Sequence, residues 1–292
     1  MNGAQVTKPL SPEIVGTSYE PLYVDWTNRD AMLYAIAVGA GQQDPRNELQ
    51  WTTENSAGTN LEVIPTFAAT LAQRAGMKSS LSGVDRTKQL HAAQSLQLFS
   101  TLATEGRVEL RSCISGLEFK RTGALVHRTT DGFDALTRAH LFSSTSSAFI
   151  REAVGEGAYG DSVYQKQALP SGAPTEVFQI PTVEWQALVF RLTGDRNPLH
   201  SDPAYAKRSG FNRPILHGLC SYGICARTIL NQFASGRSAA FKSMQARFSR
   251  PVSPGQTLTL KTWLCDTGIA FQACLETGEI ALDGGWLEFQ FS

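Results

Sequence analysis

The chain has 292 residues, 42% of them apolar, which is enough for one large or two ordinary domains with a real core. Twenty-six basic side chains balance twenty-six acidic ones, so composition gives no broad electrostatic argument for nucleic acid or an anionic membrane, and an anionic ligand has to be met locally. The five cysteines (Cys113, Cys220, Cys225, Cys265, Cys274) are odd in number and lack CxxC spacing, which disfavours a disulfide framework and a zinc site and favours a reducing compartment.

The opening MNGAQVTKPLSPEIVG lacks an apolar signal core, and EFQFS is not an SKL-type address. No run of about 18 apolar residues occurs, so a cytoplasmic protein with no membrane span is expected. Residues 24–40 set a turn-like T-N-R-D before an apolar stretch that ends in glycine. A longer apolar helix is expected after Pro65 (TFAATLAQRAG), followed by strands over 107–114 and 124–129. His91 precedes a strand in this reading, and His127 and His140 flank others, without ligand spacing among them. The stretch 151–176 is rich in Gly, Ser and Pro and reads as a linker.

Beyond the linker the plan repeats. With an offset of 155, Thr27 falls on Thr182, Leu33 on Leu188 and Gly39 on Gly194. With an offset of 149, Pro65 falls on Pro214, Phe99 on Phe248, Ser100 on Ser249 and Gly106 on Gly255. The second long helix, GLCSYGICARTILNQF after His217, spaces Leu219, Tyr222, Ile229 and Phe233 for one buried face, and its tyrosine and cysteines read as core. Strands over 258–264 and 270–275 follow. An internal duplication of α+β units, each with one sheet around one long helix, accounts for this order.

Chemistry concentrates in FRLTGDRNPLH. Asp195, Asn197 and His200 fall within six residues after Gly194, and Pro198 stiffens the turn between them. A capping aspartate with an unrelated surface histidine is the bland alternative. Under the first offset the trio corresponds to Ala40, Gln42 and Pro45, so the first copy keeps the scaffold without the polar groups. In the functional reading His200 and Asp195 share the proton work at a bound water and Asn197 orients it. The glycine N–H of Gly218, where the second long helix begins, offers close approach to a thioester oxygen, and His217 reads as a loop or core histidine. Lys120, Arg247 and Arg250 could meet a phosphorylated carrier such as coenzyme A or could be solvated surface charge, and Glu54 sits in a polar loop. No GxSxG and no activated cysteine points to a nucleophile.

The run FRLTGDRNPLHSDPAYAKRSGFNRPILHGLCSYG resembles the signature of the MaoC-like (R)-specific enoyl-CoA hydratases, the hydratase 2 family. ARFSRPVSPGQTL resembles the family's strand after the helix, and YAIAVGA with IPTF resembles the degenerate N-terminal half of its two-repeat members. The resemblance implies a double hotdog fold, with a degenerate repeat over 1–150 shaping the acyl-CoA pocket, a linker over 151–176 and a catalytic repeat over 177–292. It implies reversible hydration of trans-2-enoyl-CoA to (3R)-3-hydroxyacyl-CoA. Asp195 and His200 match the water-gripping pair, Asn197 the same turn and Gly218 the oxyanion position. Arg196, Pro198, Leu199, Phe248, Lys120, His91 and Ala92 match substrate-lining positions, and Glu54 matches an assisting acid. No metal or redox cofactor is implied, since coenzyme A belongs to the substrate. The degenerate half leaves room for long or bulky acyl chains, and a homodimer is expected. A dehydratase acting on acyl carrier protein, a hotdog thioesterase and a non-catalytic acyl-CoA binding module are the rivals.

Overall fold

The computed structural model describes residues 10–78, 81, 84–161 and 167–290. The first half runs β1 (Leu22–Trp26), α1 (Asn28–Ala37), α2 (Leu49–Thr52), α3 (Phe67–Lys78), β2 (Gln89–Leu98), β3 (Gly106–Lys120), β4 (Gly123–Asp134), β5 (His140–Arg151) and the short β6 (Ala158–Gly160). The second runs β7 (Glu176–Pro181), α4 (Gln186–Phe190), α5 (Pro203–Arg208), α6 (Gly218–Ala234), β8 (Phe241–Phe248), β9 (Thr257–Cys265), β10 (Gly268–Cys274) and β11 (Ile280–Phe289). The T-N-R-D turn starts α1 because the Thr27 N–H donates to the Asp30 carboxylate at 2.9 Å, satisfying a donor that the helix leaves open.

All the ladders are antiparallel and join in the order β1-β3-β4-β5-β2-β8-β11-β10-β9-β7, with β6 on β3. The order is a palindrome about the β2–β8 pair, where Ala93 meets Arg247 and Gln97 meets Ser243. One continuous sheet thus curls around two long helices, the double hotdog arrangement. Helix α3 lies on β3, β4 and β5, and α6 lies on β8 and β11. Both helices are rich in small residues, which lets backbone approach sheet closely. The Leu219, Tyr222 and Ile229 stripe of α6 is buried as its spacing predicts, and Cys220 and Cys225 lie in the core with it.

The strands extend past their sequence signals. β3 continues to Lys120 and β4 to Asp134, so His127 lies inside a strand. β2, β5 and β11 carry no strand signal, and β8 is marked only by the resemblance of ARFSRPVSPGQTL; His91 lies within β2 and His140 opens β5. The reason is visible in β5, whose HLFSSTSSAFIR carries hydroxyls on both faces and never alternates apolar with polar. The linker also needs correction. β5 reaches Arg151, β6 pairs Gly116 with Gly160 within the stretch, and β7 starts at Glu176, while 162–166 lie outside the described residues.

Candidate active site

The turn that follows α4 is built locally. Gly194 has φ 146°, a backbone region that a side chain disfavours, and a Cβ there would come within 2.9 Å of the Arg74 guanidinium. Asp195 Oδ1 accepts from the Asn197 N–H at 3.1 Å, and Asn197 Oδ1 accepts from the Leu199 N–H at 3.1 Å. These two side-chain turns, with Pro198 at the first position, wind a 3-10 turn over Pro198–His200. Asp195 and His200 are thereby brought to one side and buried, while Arg196 and Pro198 remain exposed.

The first half then grips this turn. Arg74 of α3 donates through Nη2 to the Thr193 carbonyl at 2.8 Å, and Gln73 donates through Nε2 to Asp195 Oδ2 at 2.8 Å. His200 Nδ1–H donates to the Ile215 carbonyl at 2.9 Å, which fixes the tautomer and leaves Nε2 with its lone pair as a proton acceptor. His217 donates through Nε2 to the Asp195 carbonyl at 3.1 Å, and its ring stacks on that of His200 with centroids 3.7 Å apart. Burial pushes the His200 pKa below its ordinary value although Asp195 pulls the other way, so the imidazole is neutral at pH 7. The His217 pKa is pushed down to about 3, chiefly by burial and by His200 beside it. Burial would raise the Asp195 pKa, but the neighbouring histidines, the Asn197 N–H and the Gln73 amide together outweigh that and hold it below the usual carboxylate range. A carboxylate and a neutral imidazole side by side suit the gripping and deprotonation of one water.

The start of α6 lines the same cavity. Gly218 is its first residue, and its N–H has no partner among the described residues. A Cβ at Gly218 would lie 3.3 Å from the Phe248 ring, so glycine lets that ring close over the helix end. Phe248 in turn tilts against His91 of β2 at 4.7 Å. Burial lowers the His91 pKa to about 4, with Asp195 and His200 near enough to act on it. These groups line a cavity of about 590 Å³ that runs from the turn with Asp195 and His200 under α3 into the first half.

Comparison with known proteins matches this layout half by half. Residues 24–152 match the model described as MFE-2 hydratase 2 N-terminal domain, and residues 165–284 match the MaoC like domain. The chain is 34% identical over 292 residues to 3-hydroxyacyl-thioester dehydratase Y of Mycobacterium tuberculosis, covering 96% of this chain and 98% of that protein. The chain belongs to the MaoC-like hydratase 2 family. It is also 32% identical to peroxisomal multifunctional enzyme type 2 of mouse over 94% of its own length, but spans only 38% of that larger protein. The crystal structure of the MaoC-like dehydratase from Phytophthora capsici superposes with a TM-score of 0.87 at 27% identity, covering 96% of this chain and 98% of the other.

Most of the residues expected from the hydratase 2 signature meet in the one cavity: Asp195, Arg196, Asn197, Pro198, Leu199 and His200 from the turn, and His91, Gly218 and Phe248 around it. Three do not. Ala92 sits at the bulge in β2 between His91 and Ala93 and does not line the cavity. Lys120 closes β3 beside the β3–β4 turn and pairs with Glu118. Glu54 is exposed in the loop after α2, where it accepts from the Asn55 side chain at 3.1 Å. Of the other basic residues, Arg250 lines the cavity and pairs with Glu279, whereas Arg247 pairs with Asp283.

Gln73, Arg74 and the stacked His217 hold the turn through contacts that the sequence alone does not single out. The signal available is two adjacent long polar side chains, Gln73 and Arg74, in a mostly apolar helix. Asp195, His200 and His217 offer donor atoms within 4.8 Å of one another. The two imidazole rings are tilted by only 27°, however, so their in-plane lone pairs do not converge on a single ion.

Proposed function

We propose that the chain adds water reversibly to trans-2-enoyl-CoA to give (3R)-3-hydroxyacyl-CoA. The observation that carries this reading is that Asp195 and neutral His200 share one cavity with the open N–H of Gly218. In this mechanism the thioester oxygen sits on the Gly218 N–H, and a water held by Asp195 and His200 loses a proton to them as its oxygen bonds to C3. The electron pair of the double bond moves into the thioester as an enolate, and the proton returns to C2. Loss of water is the same path reversed, which accords with relatives named both hydratase and dehydratase. Neither a metal nor a redox cofactor has a step in this mechanism.

The expected division of labour gives the catalytic turn to residues 177–292 and most of the acyl chamber to residues 1–150. Gln73 and His91 add a contribution of the first half to the reacting end. A homodimer and a cytoplasmic location complete the proposal, to be tested by sedimentation and by fractionation. Several relatives carry the word peroxisomal in their names, and no helix among the described residues is long and apolar enough to cross a membrane.

The decisive experiment follows the absorbance of the conjugated enoyl thioester with crotonyl-CoA and with longer enoyl-CoA esters, and determines product chirality, for wild type and Asp195→Asn. Loss of absorbance with (3R) product, abolished in the variant, supports the reading. Faster turnover of the carrier-protein ester would favour a carrier-linked dehydratase, release of free thiol would favour a thioesterase, and tight binding without turnover would favour a binding module.

A further inference from the structure

The concave face of the first half is not the surface that a plain fatty chain would meet. Around α6, strands β9 to β11 contribute Leu258, Leu260, Ile269, Phe271, Ala281 and Leu287 to one continuous core. Around α3 the core is cut in two. Along β3, Leu110 belongs to the main core and Ile114 to a separate cluster, with Ser112 buried between them. Along β5, Phe142 and Ile150 divide in the same way, with Ser144 and Ser146 between. Along β4, Thr130 and Arg128 come before Val126 of the second cluster.

Strand register lines these positions up. Ser112 faces Thr130 and Thr130 faces Ser144, while Arg128 faces Ser146, which faces Gln94 of β2. The Ser112 and Thr130 hydroxyls lie 2.7 Å apart, and Gln94 donates through Nε2 to Ser144 Oγ at 2.9 Å. Gln94, Thr130 and Ser144 are each at most 4% exposed, yet they line the cavity that also holds Asp195 and His200. These bonds leave the Ser144 hydroxyl proton, and one of the two in the Ser112–Thr130 pair, without an acceptor among the described residues, so this belt of hydroxyl and amide groups offers unspent O–H donors to whatever fills the cavity.

We infer that this belt selects the substrate: the acyl chain carries a hydroxyl or carbonyl oxygen on its distal half, which bonds to the groups around Thr130, Ser144 and Gln94. The inference rests on the hydration reading above and names the class of acyl group it acts on. Ser144 and Thr130 stand one and two strands over from β2, which carries His91, roughly 5 and 10 Å at the spacing of strands, so Thr130 is past the end of a crotonyl group and within reach of a decenoyl one.

The test compares trans-2-decenoyl-CoA with the same ester hydroxylated near its tail. Wild type is expected to show kcat/KM roughly tenfold or more higher for the hydroxylated ester, the scale of one buried hydrogen bond made only by that substrate. Thr130→Val combined with Ser144→Ala should bring the two esters within a factor of about two, while Thr130→Ser, which keeps the hydroxyl, should retain the preference. Equal or better turnover of the plain ester by wild type overturns the inference, as does a preference that survives in the double variant. Calorimetry with the saturated acyl-CoA pair, hydroxylated and plain, reads the belt without turnover. A failure to hydrate even crotonyl-CoA would defeat the reaction, while equal affinity in calorimetry would defeat the belt.

Discussion

The turn after α1 and the turn after α4 occupy equivalent places in the two halves, and the same clamp holds each. Arg74 of α3 donates to the Thr193 carbonyl at 2.8 Å, and Arg227 of α6 donates through Nε to the Val38 carbonyl at 3.0 Å. Val38 and Thr193 coincide under the offset of 155. What lies beyond the clamp differs. In the first half Glu48 fills the space: its side chain, 11% exposed, pairs with Arg227 at 2.6 Å, accepts from the Gly41 N–H at 2.8 Å and is also bonded by Asn231. In the second half the corresponding space holds Asp195 and His200 and opens into the long cavity. The scaffold of a duplicated fold therefore persists where it carries structure, while one turn is closed by an ion pair and the other opens into a cavity.

That contrast can be broken at several points. The largest effect is expected for Asp195→Asn, which should lower kcat roughly a thousandfold with an unchanged circular dichroism spectrum, since proton transfer at the water is lost and the turn is kept. Glu48→Ala should do the reverse: removing one partner of a nearly buried pair leaves the Arg227 charge uncompensated and should cost about 3 kcal/mol in urea unfolding, with a smaller effect on kcat. Gln73→Leu lies between the two halves. It should lower kcat/KM about tenfold and move the acid limb of the pH profile upward, because losing the amide donor lets burial raise the Asp195 pKa. A merely structural role for Gln73 would leave that limb in place.

A change without any substitution concerns stability against pH. His91 and His217 have folded pKa values of about 4 and about 3, below the ordinary 6.5, because burial disfavours their charged forms. The unfolded chain thus binds protons below pH 6.5 that the folded chain refuses, and stability falls as the pH drops from there toward 4. Each histidine should contribute about 1 kcal/mol per pH unit in that window. Urea midpoints at pH 7.5, 6 and 5 would check this, and His217→Asn should flatten the slope.

Much of this was legible in the sequence because it is local. The turn that presents Asp195 and His200 needs only Gly194, Asp195, Asn197, Pro198 and His200 within one short stretch, and its hydrogen bonds span two residues each. The start of α6 at Gly218, the buried stripe behind it and the repeat of one plan in two halves are likewise written in spacing and periodicity. The tertiary structure alone decided what depends on distant pieces meeting. Gln73 reaches Asp195 across 122 positions of chain, and His91 meets Phe248 only because β2 pairs with β8 at the centre of the sheet. The polar belt exists only in register, since Ser112, Thr130 and Ser144 are unremarkable strand residues until three ladders set them side by side. Local hydrogen bonding and apolar periodicity fix short segments, whereas through-space register between strands is set by the whole packed core.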